Sequence, residues 1–299
     1  MKRMLFVMNP YAGMRRGERY LAQMLGIFNR AGVETTVHIT AGPGEATRVV
    51  RERAGDMDVV VCCGGDGTFN ETIAGILEGG WDVPVGYIPA GSTNDFAASL
   101  GISSNMLTAA EDILLGEPVA YDMGRFGNRY FSYVASFGAF TRTSYTTPQS
   151  IKNALGHTAY LLAGIQELSQ IHKEHVRMEL DGMVVEDDFL FGAISNATSV
   201  GGVLNLDPST VDLQDGKLEV LLFRAPEDLM EIPDCLRAVQ SQKYDCDMII
   251  FRSASHIRVY ADPAMPWTLD GEREEGHECI EVENIHRAVR IIQRRKKGI

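Results

Sequence analysis

No apolar run in this sequence reaches the ~18–20 residues that a membrane-spanning helix needs, so a helical integral membrane protein is not expected. Cysteine is scarce, with five in 299 residues. Cys62 and Cys63 are adjacent inside an apolar run, while Cys235, Cys246 and Cys279 are scattered. There is no Cys-x-x-Cys pair and no His/Cys spacing that suggests zinc. An odd count also argues against a disulfide framework, so buried inert thiols are expected. Positive charge is short: 28 Lys and Arg face 40 Asp and Glu, a net charge of −12. That balance disfavours nucleic acid as a partner, because its phosphates demand a basic surface. It also disfavours purely electrostatic adhesion to anionic membranes. The single basic cluster, Arg294-Arg295-Lys296-Lys297, reads either as a solvated tail or as a membrane-surface contact. The apolar run Met4–Met8 is too short for a secretory leader and runs into Asn9-Pro10, so a cytoplasmic location is expected. Internal repeats and low-complexity linkers are lacking too. The remainder, 45% apolar and 23% charged, is the mix of a folded chain, long enough for two domains of ordinary size.

The first third alternates strand and helix patterns. Arg3–Met8 reads as a buried strand, and Glu18–Arg30 as a helix with Leu21, Met24, Leu25 and Phe28 on one face and Gly32 as its stop. Val33–Thr40 follows as a strand, Gly44–Arg53 as a helix and Asp58–Cys63 as an apolar strand. A helix through Leu77, a strand Val83–Ile88 and a helix ending near Gly101 complete the series. Such alternation predicts a parallel sheet with helices on both faces over residues 1–120, with ligands bound at the carboxyl ends of the strands. From Tyr121 the pattern changes to short strands: Val119–Arg125, Arg129–Ser136, His175–Leu180, Phe189–Ser195, Leu218–Phe223, Ile249–Phe251, His256–Tyr260 and Glu278–Glu283. Helical stretches Ile151–Ile171 and Glu227–Val239 interrupt them. This predicts an antiparallel β-sandwich over residues 121–284. Ile285–Gln293 fits strand or helix, and residues 285–299 could return to the first domain.

Three glycine-bearing loops sit where a strand gives way to a helix, so they converge on one edge of the sheet. They are Asn9-Pro10-Tyr11-Ala12-Gly13, Gly64-Gly65-Asp66-Gly67-Thr68-Phe69-Asn70-Glu71, and Gly91-Ser92-Thr93-Asn94-Asp95-Phe96. Glycines at 64, 65 and 67 let the backbone approach a ligand closely. Thr68 and Glu71 stand at capping-box spacing, which predicts a helix start at Thr68 with free N–H groups facing the loop, an anion site. Ser92 and Asp95 show the same spacing. A carboxylate beside a phosphate is repelled unless a cation bridges them, so Asp66 points to Mg²⁺ or to a ribose hydroxyl. The sequence has no GxxxxGK[ST] motif and no GxGxxG after the first strand, which sets aside a P-loop NTPase and weakens a dinucleotide oxidoreductase.

With a late Leu269-Asp270-Gly271-Glu272, these loops resemble the diacylglycerol kinase catalytic family, which includes bacterial lipid kinases and sphingosine kinases. The motifs fall in family order across nearly the whole chain, although GGDGT alone also occurs in NAD kinases and, in related form, in phosphofructokinases. The resemblance implies a nucleotide-binding α/β domain, a β-sandwich domain and an active site in the cleft between them. It implies ATP and Mg²⁺ as cofactors, a lipid hydroxyl as acceptor and a role in phospholipid metabolism. Asn9 to Gly13, Thr40, Gly64 to Glu71, Gly91, Ser92, Asn94 and Asp95 would line the nucleotide site, with Asp66 on the metal. Asp270 would be the catalytic base and Glu272 its support or a metal contact. In some bacterial relatives a loop like Asp212–Lys217 holds a structural Mg²⁺, here through Asp215 and the carbonyls of Asp212 and Lys217; the same Asp-Gly also reads as an ordinary turn.

An ordinary aspartate, with a pKa near ~4, cannot ionise an alcohol beforehand. Asp270 would therefore orient the hydroxyl and take its proton late. Neither phosphate loop carries a lysine, which leaves Mg²⁺, backbone dipoles or Arg15 and Arg16 as sources of positive charge. Tyr130, Phe131, Tyr133, Phe137, Phe140 and the apolar run Tyr160–Ile165 read as core or as a lipid pocket. Diacylglycerol, phosphatidylglycerol, a sphingoid base and a polyprenol remain open as acceptors. An NAD kinase and a nucleotide-sensing regulator without turnover are the rival readings. A homodimer, and peripheral contact with the inner face of the membrane, are further expectations.

Overall fold

The computed structural model describes residues 1–138, 173–200, 204–207, 209–226 and 231–294. Its first lobe runs β1 (Lys2–Met8), α1 (Arg16–Arg30), β2 (Val33–Ile39), α2 (Glu45–Arg53), β3 (Val59–Gly64), α3 (Asp66–Gly79), β4 (Val85–Pro89), α4 (Asp95–Ser99) and α5 (Met106–Leu115). The strands pair in parallel in the order β4-β3-β1-β2. Because β1 and β3 are apolar at every central position, both sheet faces can be covered, and both are. Met4, Phe6, Val59, Val61 and Cys63 pack with Met24 and Phe28 of α1 and Ile113 of α5. Leu5, Val7, Val60 and Cys62 pack with Val49 and Val50 of α2 and Phe69 and Ile73 of α3. The two adjacent cysteines thus face opposite layers, fully buried, and burial raises both thiols, Cys63 to about 12. They are inert packing groups.

The second lobe contains β5 (Glu117–Phe126), β6 (Arg129–Phe131), β7 (Val134–Gly138), β8 (Glu174–Leu180), β9 (Met183–Ser195), β10 (Ser199–Val200), β11 (Leu204–Asn205), β12 (Leu218–Arg224), α6 (Ile232–Ser241), β13 (Ile249–Ala254), β14 (His256–Tyr260), β15 (Trp267–Leu269), β16 (Glu272–Glu274) and β17 (Cys279–Gln293). Its strands pair antiparallel in the order β16-β15-β7-β9-β8-β14-β17. Trp267 lies at its centre, its ring 4.9 Å from those of Phe126 and Phe137. Phe131 and Phe137 belong to this core, and Tyr133 to the core shared with the first lobe.

The lobes are not separate sheets. The fifteen residues of β17 pair with β14 and β5, and Ile291 pairs in parallel with Val85 of β4. Ile285–Gln293, ambiguous in sequence, is therefore strand.

Two local differences have physical causes. Arg129–Ser136 is not one strand but β6 and β7, because the amides of Ser132, Tyr133 and Val134 turn to bind a carboxylate described below. Helix α5 was not anticipated; Asn105 caps it, its side chain accepting from the amides of Leu107 and Thr108. The stretch Ile151–Ile171, Phe140, Tyr160–Ile165, residues 227–230 of the second helical stretch, and 295–297 of the basic cluster lie outside the described residues. Among the described residues no helix is long and apolar enough to cross a membrane.

Candidate active site

The three loops meet at the carboxyl edge of the parallel strands. Asn9 donates from Nδ2 to Thr68 Oγ1 at 3.1 Å, and its own Oδ1 accepts from the Tyr11 amide. The Ala90 amide donates to the Gly64 carbonyl at 2.7 Å. Gly65 and Gly91 pack backbone to backbone, since a Cβ on Gly91 would come within 2.7 Å of the Gly65 Cα. Gly13 has φ +49° and presses on the Ala90 carbonyl, so only glycine fits there. The result is a cleft of about 300 Å³ lined by Asn9, Tyr11, Ala12, Thr40, Gly42, Pro43, Gly65, Gly67, Thr68, Glu71, Gly91 and Glu272. Gly42 and Pro43 were missed by sequence reading. Their loop, Thr40–Gly44, is stapled at both ends by carboxylates. At one end Glu45 accepts from the Ala41 amide at 2.6 Å and pairs with His38 at 3.0 Å. The Ala41 amide first, and then His38, hold the Glu45 carboxyl below its usual range.

The helix starts differ from the capping-box expectation. Helix α3 begins at Asp66, with Gly65 as an N-cap that supplies no side chain. The first bond in the helix is Phe69 N–H to the Gly65 carbonyl, which leaves the amides of Asp66, Gly67 and Thr68 free of helical partners. Glu71 does not return to Thr68. It reaches across to the start of α2 and accepts from the amides of Gly44 at 2.7 Å and Ala46 at 3.0 Å. It is thus the second staple of the Thr40–Gly44 loop. Likewise α4 starts at Asp95 with Asn94 as its N-cap at φ +54°. Asn94 folds back on Gly91, and Ser92 is exposed outside the cleft lining. Phe69 is fully buried and stacks on Tyr87 at 4.3 Å, so it is core and not a nucleotide contact. Pro10, Gly64, Asn70 and Asp95 support the loops from behind rather than lining the cleft.

The motif Leu269-Asp270-Gly271-Glu272 is a two-residue hairpin turn between β15 and β16, with φ +49° at Asp270 and +87° at Gly271. Asp270 points inward and is 5% exposed. Its Oδ1 accepts from the Tyr133 and Val134 amides, each at 3.0 Å; its Oδ2 accepts from the Ser132 amide at 2.6 Å and from Asn70 Nδ2. Burial pushes its carboxyl above the usual range, while these donors pull the other way. Both oxygens are occupied, so Asp270 has no lone pair to offer an incoming hydroxyl. This geometry makes Asp270 the anchor of the turn rather than a group open to an incoming hydroxyl. Glu272 faces the cleft instead: a Cβ on Gly67 would stand 3.1 Å from its Oε1. The carboxylate thus reaches, from the sandwich lobe, the first turn of α3.

Asp66 is the residue whose chemistry most needs a cation. Burial, then the charges of Asp95 and Asp270, push its carboxyl up to about 7. Its Oδ2 accepts from the Asp95 amide at 3.2 Å, while Oδ1 is buried without a partner. A hard divalent ion satisfies such an oxygen and relieves the crowding of acids, so the residues fit magnesium. Among the described residues no group of three His, Cys, Asp or Glu side chains is arranged to hold a metal alone, and phosphate oxygens and water would complete the shell.

Residues 3–126 match the diacylglycerol kinase catalytic domain, and residues 134–293 match the YegS C-terminal NAD kinase beta sandwich-like domain. A diacylglycerol kinase of Bacillus subtilis is 31% identical across 100% of this chain and 98% of its own. A second, from Staphylococcus carnosus, is 30% identical over 91% of this chain and 89% of its own. This chain belongs to the diacylglycerol kinase family. It is a lipid kinase, and the family implies the use of ATP. The crystal structure of a Bacillus anthracis diacylglycerol kinase shares the fold, with a TM-score of 0.79 at 22% identity, covering 98% of each chain.

A second acidic cluster in this lipid kinase surrounds the loop Asp212–Lys217. Asp122 of β5 was not singled out in the sequence. It is fully buried and accepts from the amides of Gly216 and Arg287, each at 2.7 Å, and from Asn284 Nδ2 at 3.2 Å; His286 Nδ1 lies 3.1 Å away. Glu219 is 1% exposed with Oε2 unpartnered, and burial, then Asp215, Asp212 and Asp122, raise it to about 8. Asp212 and Asp215 are exposed and accept from the amides of Gln214 and Lys217, while the Lys217 carbonyl already accepts from Asn284. An acid set among buried apolar strand residues, as Asp122 is beside Tyr121 and Met123 and Glu219 is between Leu218 and Val220, is the sequence signal that would have found this cluster.

Proposed function

We propose that this lipid kinase transfers the γ-phosphoryl group of ATP, with Mg²⁺, to the hydroxyl of diacylglycerol, giving phosphatidate. The observation that carries the reading is the meeting of Glu272 with the open first turn of α3 at Gly67. A helix start with free amides binds phosphate, and an accessible carboxylate beside it can take a proton from an acceptor hydroxyl. The amides of Gly65 to Thr68, together with Asn9 and Gly91, bind the phosphates, and Thr40 to Gly44 wall the nucleotide. Glu272 orients the hydroxyl and accepts its proton late in transfer, a contribution of about 10²–10⁴-fold. Asp270 is a positioning residue: by gripping the 132–134 amides and Asn70 it fixes the turn that carries Glu272. Asp66, backed by Asp95, would hold a magnesium ion, which would supply charge neutralisation on the phosphates. The acids around Asp215 and Glu219 are a second site for a hard cation.

The named activity of the relatives motivates diacylglycerol as the acceptor. Action is proposed in the cytoplasm with transient contact at the inner membrane face. Arg294 is engaged by Asp112 at 3.0 Å, leaving Arg295 to Lys297 as the candidate surface contact. The test is incubation of the purified protein with labelled ATP and Mg²⁺, offered diacylglycerol vesicles, a total lipid extract, and NAD in separate arms. Labelled phosphatidate is the expected product. Label in another lipid moves the substrate assignment, and labelled NADP without labelled lipid overturns the reading.

A further inference from the structure

Among the described residues the cleft contains no cation of its own. Among the described residues its lining carries two carboxylates, Glu71 and Glu272, and no Lys, Arg or His. Phosphoryl transfer nevertheless develops charge on the moving group that one metal and backbone dipoles share with side-chain cations in other kinases and nucleotide hydrolases. Arg15, the candidate nearest in sequence, sits with its guanidinium 5.4 Å from the centre of the Tyr11 ring, at the nucleotide side of the cleft.

Another arginine stands at the acceptor side. Arg129 opens β6, and its side chain is 46% exposed. Its Nη2 lies 3.3 Å from Glu272 Oε2, and its Nη1 pairs with Glu274 Oε2. Glu272 in turn contacts the first turn of α3 at Gly67. One carboxylate therefore separates this guanidinium from the amides that receive the phosphates. The fork is shared between two acids on the same short strand, so it can release one and keep the other.

We propose that Arg129 is a catalytic residue, resting on the phosphoryl-transfer reading above. When ATP occupies the cleft, the Nη2 edge leaves Glu272 for the γ-phosphoryl oxygens while Nη1 keeps Glu274. The exchange supplies the missing cation and frees the Glu272 lone pair in one movement. The acceptor oxygen then bonds to the γ-phosphorus, its proton goes to Glu272, and the bond from γ-phosphorus to the bridging oxygen breaks with its electron pair on ADP. A planar two-edged donor is required for this, which lysine does not provide.

The test uses the full chain with Arg129→Met and Arg129→Lys. Calorimetry with Mg²⁺ compares AMP-PNP with ADP, and turnover is read on diacylglycerol vesicles. For Arg129→Met, kcat should fall by about 10²–10³-fold, and the KM for ATP should rise by about tenfold as the contact to the bound γ-phosphoryl group is lost. The preference for AMP-PNP over ADP should shrink by about tenfold or more while ADP affinity holds, and millimolar guanidinium should restore part of the turnover. Arg129→Lys should recover less than the added guanidinium does. Turnover within threefold of wild type, or a lost turnover that guanidinium does not restore alongside an unchanged AMP-PNP preference, overturns the assignment. If wild type phosphorylates no lipid, the functional reading fails by itself, and the AMP-PNP against ADP comparison still decides Arg129.

Discussion

Asp270 and Glu272 are two residues apart and carry the same functional group, yet the hairpin turn between them sends one into the core and the other into the cleft. The motif was legible in the sequence; the division of labour was not, because it depends on three amides of residues 132–134 that lie far away along the chain. The two acids should separate cleanly on mutation. Glu272→Gln keeps size and leaves the melting temperature within a degree or two, while kcat falls by about 10²–10⁴-fold. Asp270→Asn turns an NH₂ toward amides that need an acceptor. It should cost about 2–3 kcal/mol, read as a fall of roughly 4–10 °C in Tm. A stable, inactive Asp270→Asn beside an active Glu272→Gln would reverse the roles. Asp66 makes a different prediction because its carboxyl is raised to about 7. In the unfolded chain this group ionises near pH 4, so between about pH 4 and 7 the unfolded state loses a proton that the folded state keeps. Stability without metal therefore declines as pH rises through that window, by up to about 4 kcal/mol. Asp66→Asn removes the decline. In chelator it should melt close to wild type near pH 4.5 and clearly above it at pH 8, while losing turnover. A Tm difference that does not change with pH would sink the argument.

At the scale of elements, the alternation of strand and helix in the first lobe was readable because β1 and β3 are apolar on both faces and α1 on one stripe. The capping box at Thr68 and Glu71 fails because spacing reports that two side chains can meet on one helix, and says nothing of a neighbouring helix that competes for the acid; the one at Ser92 and Asp95 fails because α4 starts only at Asp95, with Asn94 as its N-cap. Glu71 is held by the start of α2, 25 residues or more away in sequence. The wall Thr40–Gly44 consequently depends on two carboxylates, Glu71 at one end and Glu45 at the other. Glu71→Gln weakens one staple without touching the amides of α3. The KM for ATP should rise by about tenfold, the equivalent of roughly 1.4 kcal/mol, with kcat changed less than about threefold. Steady-state kinetics with ATP varied at saturating lipid measures it, and an equal loss in kcat would instead assign Glu71 to the reacting phosphates.

For the whole molecule, the sequence divides near residue 120 by pattern, and the sheet does not divide there. Strand β17 pairs with β14 and β5 and ends beside β4, so the last strand of the chain belongs to both lobes. Asn70 adds a polar tie, donating from α3 to the Tyr130 carbonyl at 3.2 Å and to Asp270. A cleft proposed to hold the phosphates in one lobe and to take the acceptor's proton in the other needs this fixed relation, since a misplacement of about 1 Å can cost 10²-fold in rate. Ile291 tests the joint directly. It is fully buried, pairs with Val85 and Val119, and sits in the core shared by both lobes. Ile291→Ala removes about 2–5 kcal/mol. If the lobes unfold as one unit, calorimetry gives a single transition for wild type, and the variant shifts that whole transition downward. If the lobes are independent, the trace instead splits in two, with the sandwich melting at its original temperature. The first outcome makes β17 the element that holds Glu272 over α3; the second returns that task to the Asn70–Asp270 contact alone.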